Sequence, residues 1–237
     1  MTHRAAAVVF ASVRPAISGG GGLGDTSEEG ADARLESEFR PLVAFDFDGT
    51  LTWRDSFRAF LAWRDGARRY VTGLIAIAPE AAQYLVRRDR TRLKAAMLRT
   101  FLKGVGRSEL ESEAQRFAAE RSPSLLRPDA LQCWKRWQGL GARLVIVTAT
   151  PQIIVAPFAR GLGAELVIGS LLEFDDEDRV TGRFDGANCR GDEKVSRLKA
   201  QFGDAVRLEA AYGDSAGDAQ MLTLAEEPGY RVFGAKP

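Results

Sequence analysis

The stretch Leu-Val-Ala-Phe-Asp-Phe-Asp-Gly-Thr-Leu-Thr, residues 42–52, decides the fold of this chain. Its first four residues are apolar, which is typical of a short buried strand, and the strand runs directly into Asp46. Asp48 follows two residues later, and Gly49 lets the backbone approach a ligand closely. Because ligands of open α/β sheets bind beyond the carboxyl ends of the strands, this loop is a candidate active site. An isolated Asp-x-Asp-Gly is also a common turn, so other parts of the chain must decide.

Outside this stretch, short apolar runs alternate with helical periods, most clearly after residue 128. The predicted strands are residues 143–147, 165–168, 208–212 and 230–233, and the predicted helices are 128–139, 193–202 and 219–226. Two further runs, at 171–174 and 180–184, flank an acidic turn and predict a hairpin. The alternation predicts a Rossmann-like α/β core of three layers around a mainly parallel sheet.

Residues 53–127 interrupt the alternation with helical periods only, which predicts an all-helical cap inserted after the first strand. Residues 41–52 and 128–237 then form the α/β core. Residues 1–40, with a run of four glycines and a polar acidic stretch, predict a disordered leader. An apolar segment at 5–13 is brief and has no convincing cleavage site, so we expect a cytoplasmic location.

The composition excludes several classes of function. A net charge of +1 over 237 residues gives no sign of a nucleic-acid binder. One histidine and two cysteines without zinc spacing exclude a Ser-His-Asp triad and a histidine-based metal centre. Acid–base chemistry therefore falls to carboxylates or lysines. Residues 53–110 carry 13 Lys and Arg against 5 Asp and Glu, whereas the remainder carries 20 against 27, so a basic cap faces an acidic core.

Three further strand ends or helix starts carry reactive residues. Thr148 follows a buried strand, and its hydroxyl can donate to a phosphoryl oxygen or cap the next helix. Lys194 opens a helix and would hold a carboxylate ionised, with Arg190 as a competitor for the same role. Asp214 and Asp218 leave a strand and enter a helix. Taken singly, each is also explained by an ordinary cap, turn or solvated side chain.

The conjunction of these residues predicts a metal-dependent enzyme. Four carboxylates that converge on one point would repel one another strongly without a cation, and Mg²⁺ prefers such hard oxygen ligands. A carboxylate can attack phosphorus to give an aspartyl phosphate, while a neighbouring acid protonates the departing oxygen and later deprotonates water. The pattern therefore favours phosphoryl chemistry with Mg²⁺ as the cofactor.

In their order, these motifs resemble the haloacid dehalogenase-like hydrolase superfamily over about residues 41–233. The resemblance implies that Asp46 is the nucleophile, that Asp48 is the general acid/base, and that Thr148 and Lys194 complete the catalytic set. It also implies a metal site formed by the side chains of Asp46, Asp214 and Asp218 and by the backbone carbonyl of Asp48. The acid at Asp48 argues against the dehalogenases of the superfamily, which lack it.

The helical cap, the hairpin and residues 189–194 are similar to the subgroup, subfamily IB, that contains phosphoserine phosphatase. Within it, the details are similar to phosphatidylglycerophosphatase C and its relatives. The resemblance implies a Mg²⁺-dependent phosphatase that hydrolyses a phosphomonoester, with Gly49, Thr50 and Arg190 in substrate binding. Asp55 lies where phosphoserine phosphatase carries an acid that contacts the substrate amino group, although capping of the following helix would explain it equally.

The substrate class depends on the cap. Residues 70–86 contain an apolar run that is shorter than the ~20 residues needed to span a bilayer. Arginines flank it on both sides, as expected of a segment that rests on an anionic membrane surface. This predicts peripheral membrane contact and a phospholipid substrate such as phosphatidylglycerol phosphate.

The same residues also fit a small cap core surrounded by solvated arginines. The substrate would then be a soluble phosphorylated metabolite such as phosphoserine or histidinol phosphate. A phosphotransferase or phosphomutase would share the aspartyl phosphate. A non-catalytic phosphate-binding module is the alternative of a different class, and it would be expected to lose Asp46 or Asp48, both of which this chain keeps.

Overall fold

The computed structural model describes residues 8–9, 40–79, 82 and 90–237. The predicted disordered leader, residues 1–40, thus lies outside the described residues except for its residues 8–9 and 40. Residues 8–9 form a two-residue strand that pairs antiparallel with residues 166–167 of the sheet. Residues 87–89, in the arginine-rich stretch that follows the predicted apolar run, also lie outside the described residues.

The elements follow one another in the predicted α/β order. The strands are β1 (Val8–Val9), β2 (Leu42–Phe45), β3 (Arg143–Pro151), β4 (Leu166–Phe174), β5 (Val180–Asp185), β6 (Leu208–Gly213) and β7 (Ala225–Tyr230). The helices of the described residues are α1 (Ser56–Ala76), α2 (Arg90–Phe101), α3 (Arg107–Leu125), α4 (Pro128–Gly139), α5 (Gln152–Leu162), α6 (Asp192–Phe202) and α7 (Ala219–Leu222).

A mainly parallel sheet lies at the centre of the core, in the order β1-β4-β3-β2-β6-β7. The neighbouring pairs among β4, β3, β2, β6 and β7 are all parallel, while β1 is antiparallel at one edge. β5 forms the predicted hairpin with the end of β4. The central position of β2 explains its apolar sequence, because Val43, Ala44 and Phe45 are completely buried. The predicted fold class is confirmed.

The end of the chain differs from its prediction. A helix at 219–226 and a strand at 230–233 were expected, but α7 ends at Leu222 and β7 occupies Ala225–Tyr230. β7 pairs with β6 through its backbone at the other edge of the sheet, and its side chains at 226–228 are exposed. An edge strand of this kind, which contains Pro228, has no alternating apolar pattern to reveal it.

The inserted helices begin and end at the same place on the core. Trp53 N donates to Leu125 O over 3.0 Å, and Arg127 N donates to Leu51 O over 2.8 Å. α3 then packs along α5 of the core, where the rings of Phe117 and Phe158 lie 5.7 Å apart. The boundary of the cap at 53–127 remains a prediction, because one continuous apolar cluster joins these helices to the core.

α1 is divided by Gly66, whose φ of 71° and ψ of 163° are not helical. The first part, near Phe57 and Phe60, is buried, whereas Val71 and Ile75 in the second part are 53% and 68% exposed. Neither α1 nor any other helix of the described ranges combines the length and apolarity that a membrane crossing requires.

Candidate active site

A cavity of about 310 Å³ lies beyond the carboxyl ends of β2, β3 and β6. It brings together most of the predicted site residues: Asp46, Asp48, Gly49, Asp55, Thr148, Arg190, Lys194, Asp214 and Asp218. Thr50 is not among the residues that line the cavity: it is buried, and its hydroxyl has no hydrogen-bond partner among the described residues. The parallel sheet creates this convergence, since all these loops leave the same edge.

Lys194 occupies the floor of the cavity and is only 1% exposed. Its Nζ donates to Asp46 Oδ1, Asp218 Oδ1 and the carbonyl of Val147, each over 2.6 Å. An ammonium group has three protons, so this set of acceptors uses its full donor capacity. Burial alone lowers the pKa of Lys194, but Asp46 and Asp218 outweigh burial and hold the pKa above its usual value. Lys194 is therefore a permanent buried cation.

Asp46 lies opposite Lys194 at the end of β2 and is 6% exposed. Burial raises its pKa to about 7, although the charge of Lys194 acts in the opposite direction and Asp218 adds to the rise. Only its Oδ1 is engaged by Lys194, and within the described residues nothing donates to Oδ2. One oxygen of this carboxylate is thus held in place while the other is available to a ligand.

Asp214 and Asp218 differ in how far the protein satisfies them. Asp218 Oδ2 accepts from the backbone N–H and the hydroxyl of Ser215, each over 2.9 Å, and its Oδ1 accepts from Lys194. Burial raises the pKa of Asp218, but Lys194 and these donors bring it below its usual value. No described residue donates to the Asp214 carboxylate, and burial together with Asp218 raises its pKa. Asp214 therefore has both oxygens free for a ligand.

The donor set fits a divalent cation. Asp46, Asp214 and Asp218 each place a carboxylate oxygen within 4.8 Å of the others. Gly49 makes this approach possible, because a Cβ at its position would fall 2.2 Å from Asp214 Oδ2, and its φ of 84° also favours glycine. Hard carboxylate oxygens are the ligands that Mg²⁺ prefers. These residues can hold the ion, as the haloacid dehalogenase-like pattern implies.

Asp48 is held from two sides. Its Oδ1 accepts from the backbone N–H of Ser56 at the start of α1, over 2.7 Å. Its Oδ2 accepts a short hydrogen bond from the hydroxyl of Thr150. Thr148, which is 1% exposed, accepts from the backbone N–H of Thr150 over 3.1 Å. Neither threonine caps α5, because β3 continues to Pro151 and the helix begins only at Gln152.

The two remaining predicted binding residues, Asp55 and Arg190, both line the cavity. Asp55 is the N-cap of α1, and its side chain accepts from Arg58 N over 2.8 Å. It therefore caps the helix and also lines the cavity. Burial and the nearby Asp48 raise its pKa. The Arg190 guanidinium lies against the backbone of Gly217, where a Cβ would be 2.6 Å from its Nη1. Neither residue contacts the Lys194 cluster directly.

The sequence did not reveal several residues of the cavity. Lys94 on α2 and Asn188 before α6 both line it, as does Arg54. The predicted cap contains many basic residues, and the position of Lys94 among them does not distinguish it as a site residue. Thr150 is not among the predicted site residues, because its bond to Asp48 depends on the extension of β3 to Pro151, which the apolar run at 143–147 does not indicate.

The fold and the site are those of an α/β enzyme. Its carboxylates and a buried lysine lie together at the ends of parallel strands. The chain belongs to the haloacid dehalogenase-like hydrolases, whose family model matches residues 43–223. The predicted family is therefore confirmed, and so is the prediction of a hydrolase.

Individual proteins show the same likeness. Protein CicA of Caulobacter vibrioides (strain NA1000 / CB15N) is 55% identical over 196 residues, which cover 83% of this chain and 88% of CicA. A solved protein of unknown function from Bordetella pertussis Tohama I is 24% identical with a TM-score of 0.67, covering 80% of this chain and 88% of that one. The apo form of a phosphoserine phosphatase is 20% identical with a TM-score of 0.54, covering 81% and 86%. The two structural matches show the fold alone.

Proposed function

We propose that this chain hydrolyses a phosphomonoester in two steps, with Asp46 as the nucleophile and Asp48 as the group that transfers protons. The observation that carries the proposal is that the two carboxylate oxygens of Asp46 are engaged differently. Lys194 fixes its Oδ1 on the cavity floor, and its Oδ2 remains available for attack on phosphorus. Asp48 faces the same cavity two residues later.

In the first step, Asp46 forms a bond to phosphorus while the bond to the leaving oxygen breaks, and Asp48 gives that oxygen a proton. The charge of Lys194 opposes the effect of burial on the pKa of Asp46 and so favours its ionised form, and it offsets negative charge beside it. In the second step, Asp48 takes a proton from water as the water attacks phosphorus and releases Asp46. A Mg²⁺ ion held by Asp46, Asp214, Asp218 and the Asp48 carbonyl would stabilise charge on the phosphoryl oxygens.

The variant Asp46→Asn tests the nucleophile. We expect it to abolish phosphate release from p-nitrophenyl phosphate in the presence of Mg²⁺, while Asp176→Asn retains the wild-type rate. Asp176 is exposed in the turn of the β4–β5 hairpin, so it provides the same chemical change away from the cavity. Robust turnover by Asp46→Asn would exclude Asp46 as the nucleophile.

For the substrate, we propose a lipid phosphate, such as phosphatidylglycerol phosphate, that the enzyme meets at an anionic membrane. The distal part of α1 supports this choice. Val71 and Ile75, one helical turn apart, are among the most exposed large apolar side chains of the described residues. Arg68 and Arg69 precede them and are exposed, and no acidic residue occurs between positions 66 and 79. Apolar insertion combined with positive charge favours an anionic lipid surface.

Co-sedimentation with vesicles tests the membrane contact. We expect the wild type to sediment with anionic vesicles and not with neutral ones. The double variant Val71→Ser, Ile75→Ser should lose most of this binding. Leu140→Ser should keep it, because Leu140 is a similarly exposed apolar residue on the surface of the α/β core. Equal partitioning of the wild type with both kinds of vesicle would contradict the contact.

A substrate panel separates the lipid from the soluble alternative. The values of kcat/KM for phosphatidylglycerol phosphate, phosphoserine and histidinol phosphate would be compared at one Mg²⁺ concentration. We expect the lipid phosphate to have the highest value. A higher value for either metabolite would make the enzyme a soluble-metabolite phosphatase with the same catalytic residues, because the core site contacts only the phosphate.

A further inference from the structure

The first turns of α2 contact the core at two neighbouring points of the cavity rim, Ala149 and Asn188, which Ser170 Oγ joins by hydrogen bonds. Lys94 Nζ lies 3.2 Å from the carbonyl oxygen of Ala149 at the end of β3. Thr91, three residues earlier on α2, accepts a hydrogen bond of 3.1 Å from Asn188 Nδ2 on the loop before α6. Residues three apart lie on one face of a helix, so this face of α2 lies against one part of the cavity rim.

Lys94 also reaches the hydroxyl that holds Asp48. Its Nζ lies 3.5 Å from Thr150 Oγ1, and that hydroxyl donates to Asp48 Oδ2. An ammonium group only donates, whereas a hydroxyl has one proton to give and accepts as well. With Lys94 donating to Thr150, the single proton of the hydroxyl is directed at Asp48. Thr150 is completely buried, so no bulk water competes for these bonds.

We propose that Lys94 is a positioning residue that acts through Thr150 to orient Asp48 for protonation of the leaving group. The proposal rests on the proposed function, since it assigns a task to Asp48 in the first step. There, the proton passes from Asp48 to the leaving oxygen as the P–O bond breaks and the bond from Asp46 to phosphorus forms. Because Lys94 belongs to the inserted helices, Asp48 is fully oriented only while α2 lies against the core.

Two matched substrates test this arrangement. Phenyl phosphate and p-nitrophenyl phosphate have nearly the same shape, but p-nitrophenolate is by far the better leaving group and depends less on a proton donor. The ratio of their kcat/KM values therefore reports proton donation in the first step and is insensitive to a general loss of folding or binding. The variants to compare are Thr150→Val, Thr150→Ser, Lys94→Met and Lys94→Arg, with Lys103→Met on exposed surface beyond α2 as the control.

Thr150→Val should lower kcat/KM for phenyl phosphate roughly tenfold or more and that for p-nitrophenyl phosphate by less than about threefold, within the range that a general acid contributes. Lys94→Met should change the ratio in the same direction by a smaller factor. Thr150→Ser and Lys94→Arg should keep the wild-type ratio because they retain the donors, and Lys103→Met should not change it.

Equal losses for the two substrates in both Thr150→Val and Lys94→Met would overturn the proposal and leave these residues a purely structural or binding role. An effect of Lys94→Met on KM alone would do the same. Lys94 is partly exposed, so its variant keeps the test valid if Thr150→Val does not fold. A wild type that hydrolyses neither compound, nor any other phosphomonoester, would instead refute the proposed function.

Discussion

At the scale of single residues, the buried ammonium of Lys194 determines how the carboxylates are held. It neutralises Asp46 and Asp218 in a place where water is excluded. Removal of one partner from a buried ionic cluster leaves the other charges uncompensated, which typically costs about 3–5 kcal/mol. The aspartates that make the site reactive thus depend on one lysine for their stability.

Lys194→Met should consequently lower the free energy of unfolding by about 3–5 kcal/mol in urea denaturation at neutral pH without added metal. Lys199→Met is the matched control, because Lys199 lies on the exposed side of the same helix and should change stability by less than about 0.5 kcal/mol. A cost for Lys194→Met no greater than that of the control would show that the cluster does not need the lysine.

The two aspartates after β6 should differ in metal binding. Asp214 offers free oxygens, whereas the protein already occupies those of Asp218. We expect Asp214→Asn to remove measurable Mg²⁺ binding in titration calorimetry, and Asp218→Asn to weaken it by a smaller factor, because the oxygens of Asp218 are already shared with Lys194 and Ser215. Retained binding in Asp214→Asn together with its loss in Asp218→Asn would reverse these assignments.

The sequence predicts the centre of the site better than its rim. Asp46, Asp214 and Lys194 stand directly at strand ends or at a helix start, and the topology of a parallel sheet then brings them together. Lys94 lies in a long helical insertion, where helical periodicity gives no register relative to the core. Thr50, next to Gly49, was expected in substrate binding, but it is buried and is not among the residues that line the cavity.

At the scale of elements, the break in α1 separates a buried part from an exposed one. Gly66 adopts a backbone conformation that is essentially restricted to glycine. The ion pairs of Arg64 with Glu113, at 2.6 Å, and with Asp65, at 3.3 Å, fix the helix just before the break. The break at Gly66 sets the direction of the second part of α1, which carries the exposed apolar residues Val71 and Ile75.

Gly66→Ala should therefore destabilise the protein by about 1–3 kcal/mol, although a Cβ would meet no atom within 4 Å. Gly139→Ala is the control, because Gly139 ends α4 without a positive φ and also has open space around it. There we expect no loss of stability. Urea denaturation measures both, and equal stability of the two variants would mean that α1 does not need the break.

Elements with a buried apolar stripe or run were predictable, and β7 was not. Its residues Glu226, Glu227 and Pro228 show neither a helical nor a strand period of apolar residues. Pairing with the edge of β6 explains their extended conformation. Pairing with a neighbouring strand is a tertiary effect that a local pattern does not contain.

At the scale of the whole molecule, the inserted helices and the core share one apolar cluster. Phe158 of α5 contacts both Phe47, which lies between Asp46 and Asp48, at 5.3 Å between ring centroids, and Phe117 of α3. α3 packs directly along α5, and α2 joins the same cluster through buried residues that include Met97 and Phe101, while it contacts the cavity rim through Lys94 and Thr91. Apolar packing therefore fixes both helices to the core.

Trapping of the phosphorylated enzyme would show whether Asp46 itself receives the phosphoryl group. The enzyme would be mixed with excess p-nitrophenyl phosphate and Mg²⁺, quenched in acid within one turnover, digested and examined by mass spectrometry. We predict a phosphoryl group on the peptide that contains Asp46, and none in Asp46→Asn. A phosphoryl group on a different peptide, or a burst of p-nitrophenol without any phosphorylated enzyme, would contradict the account.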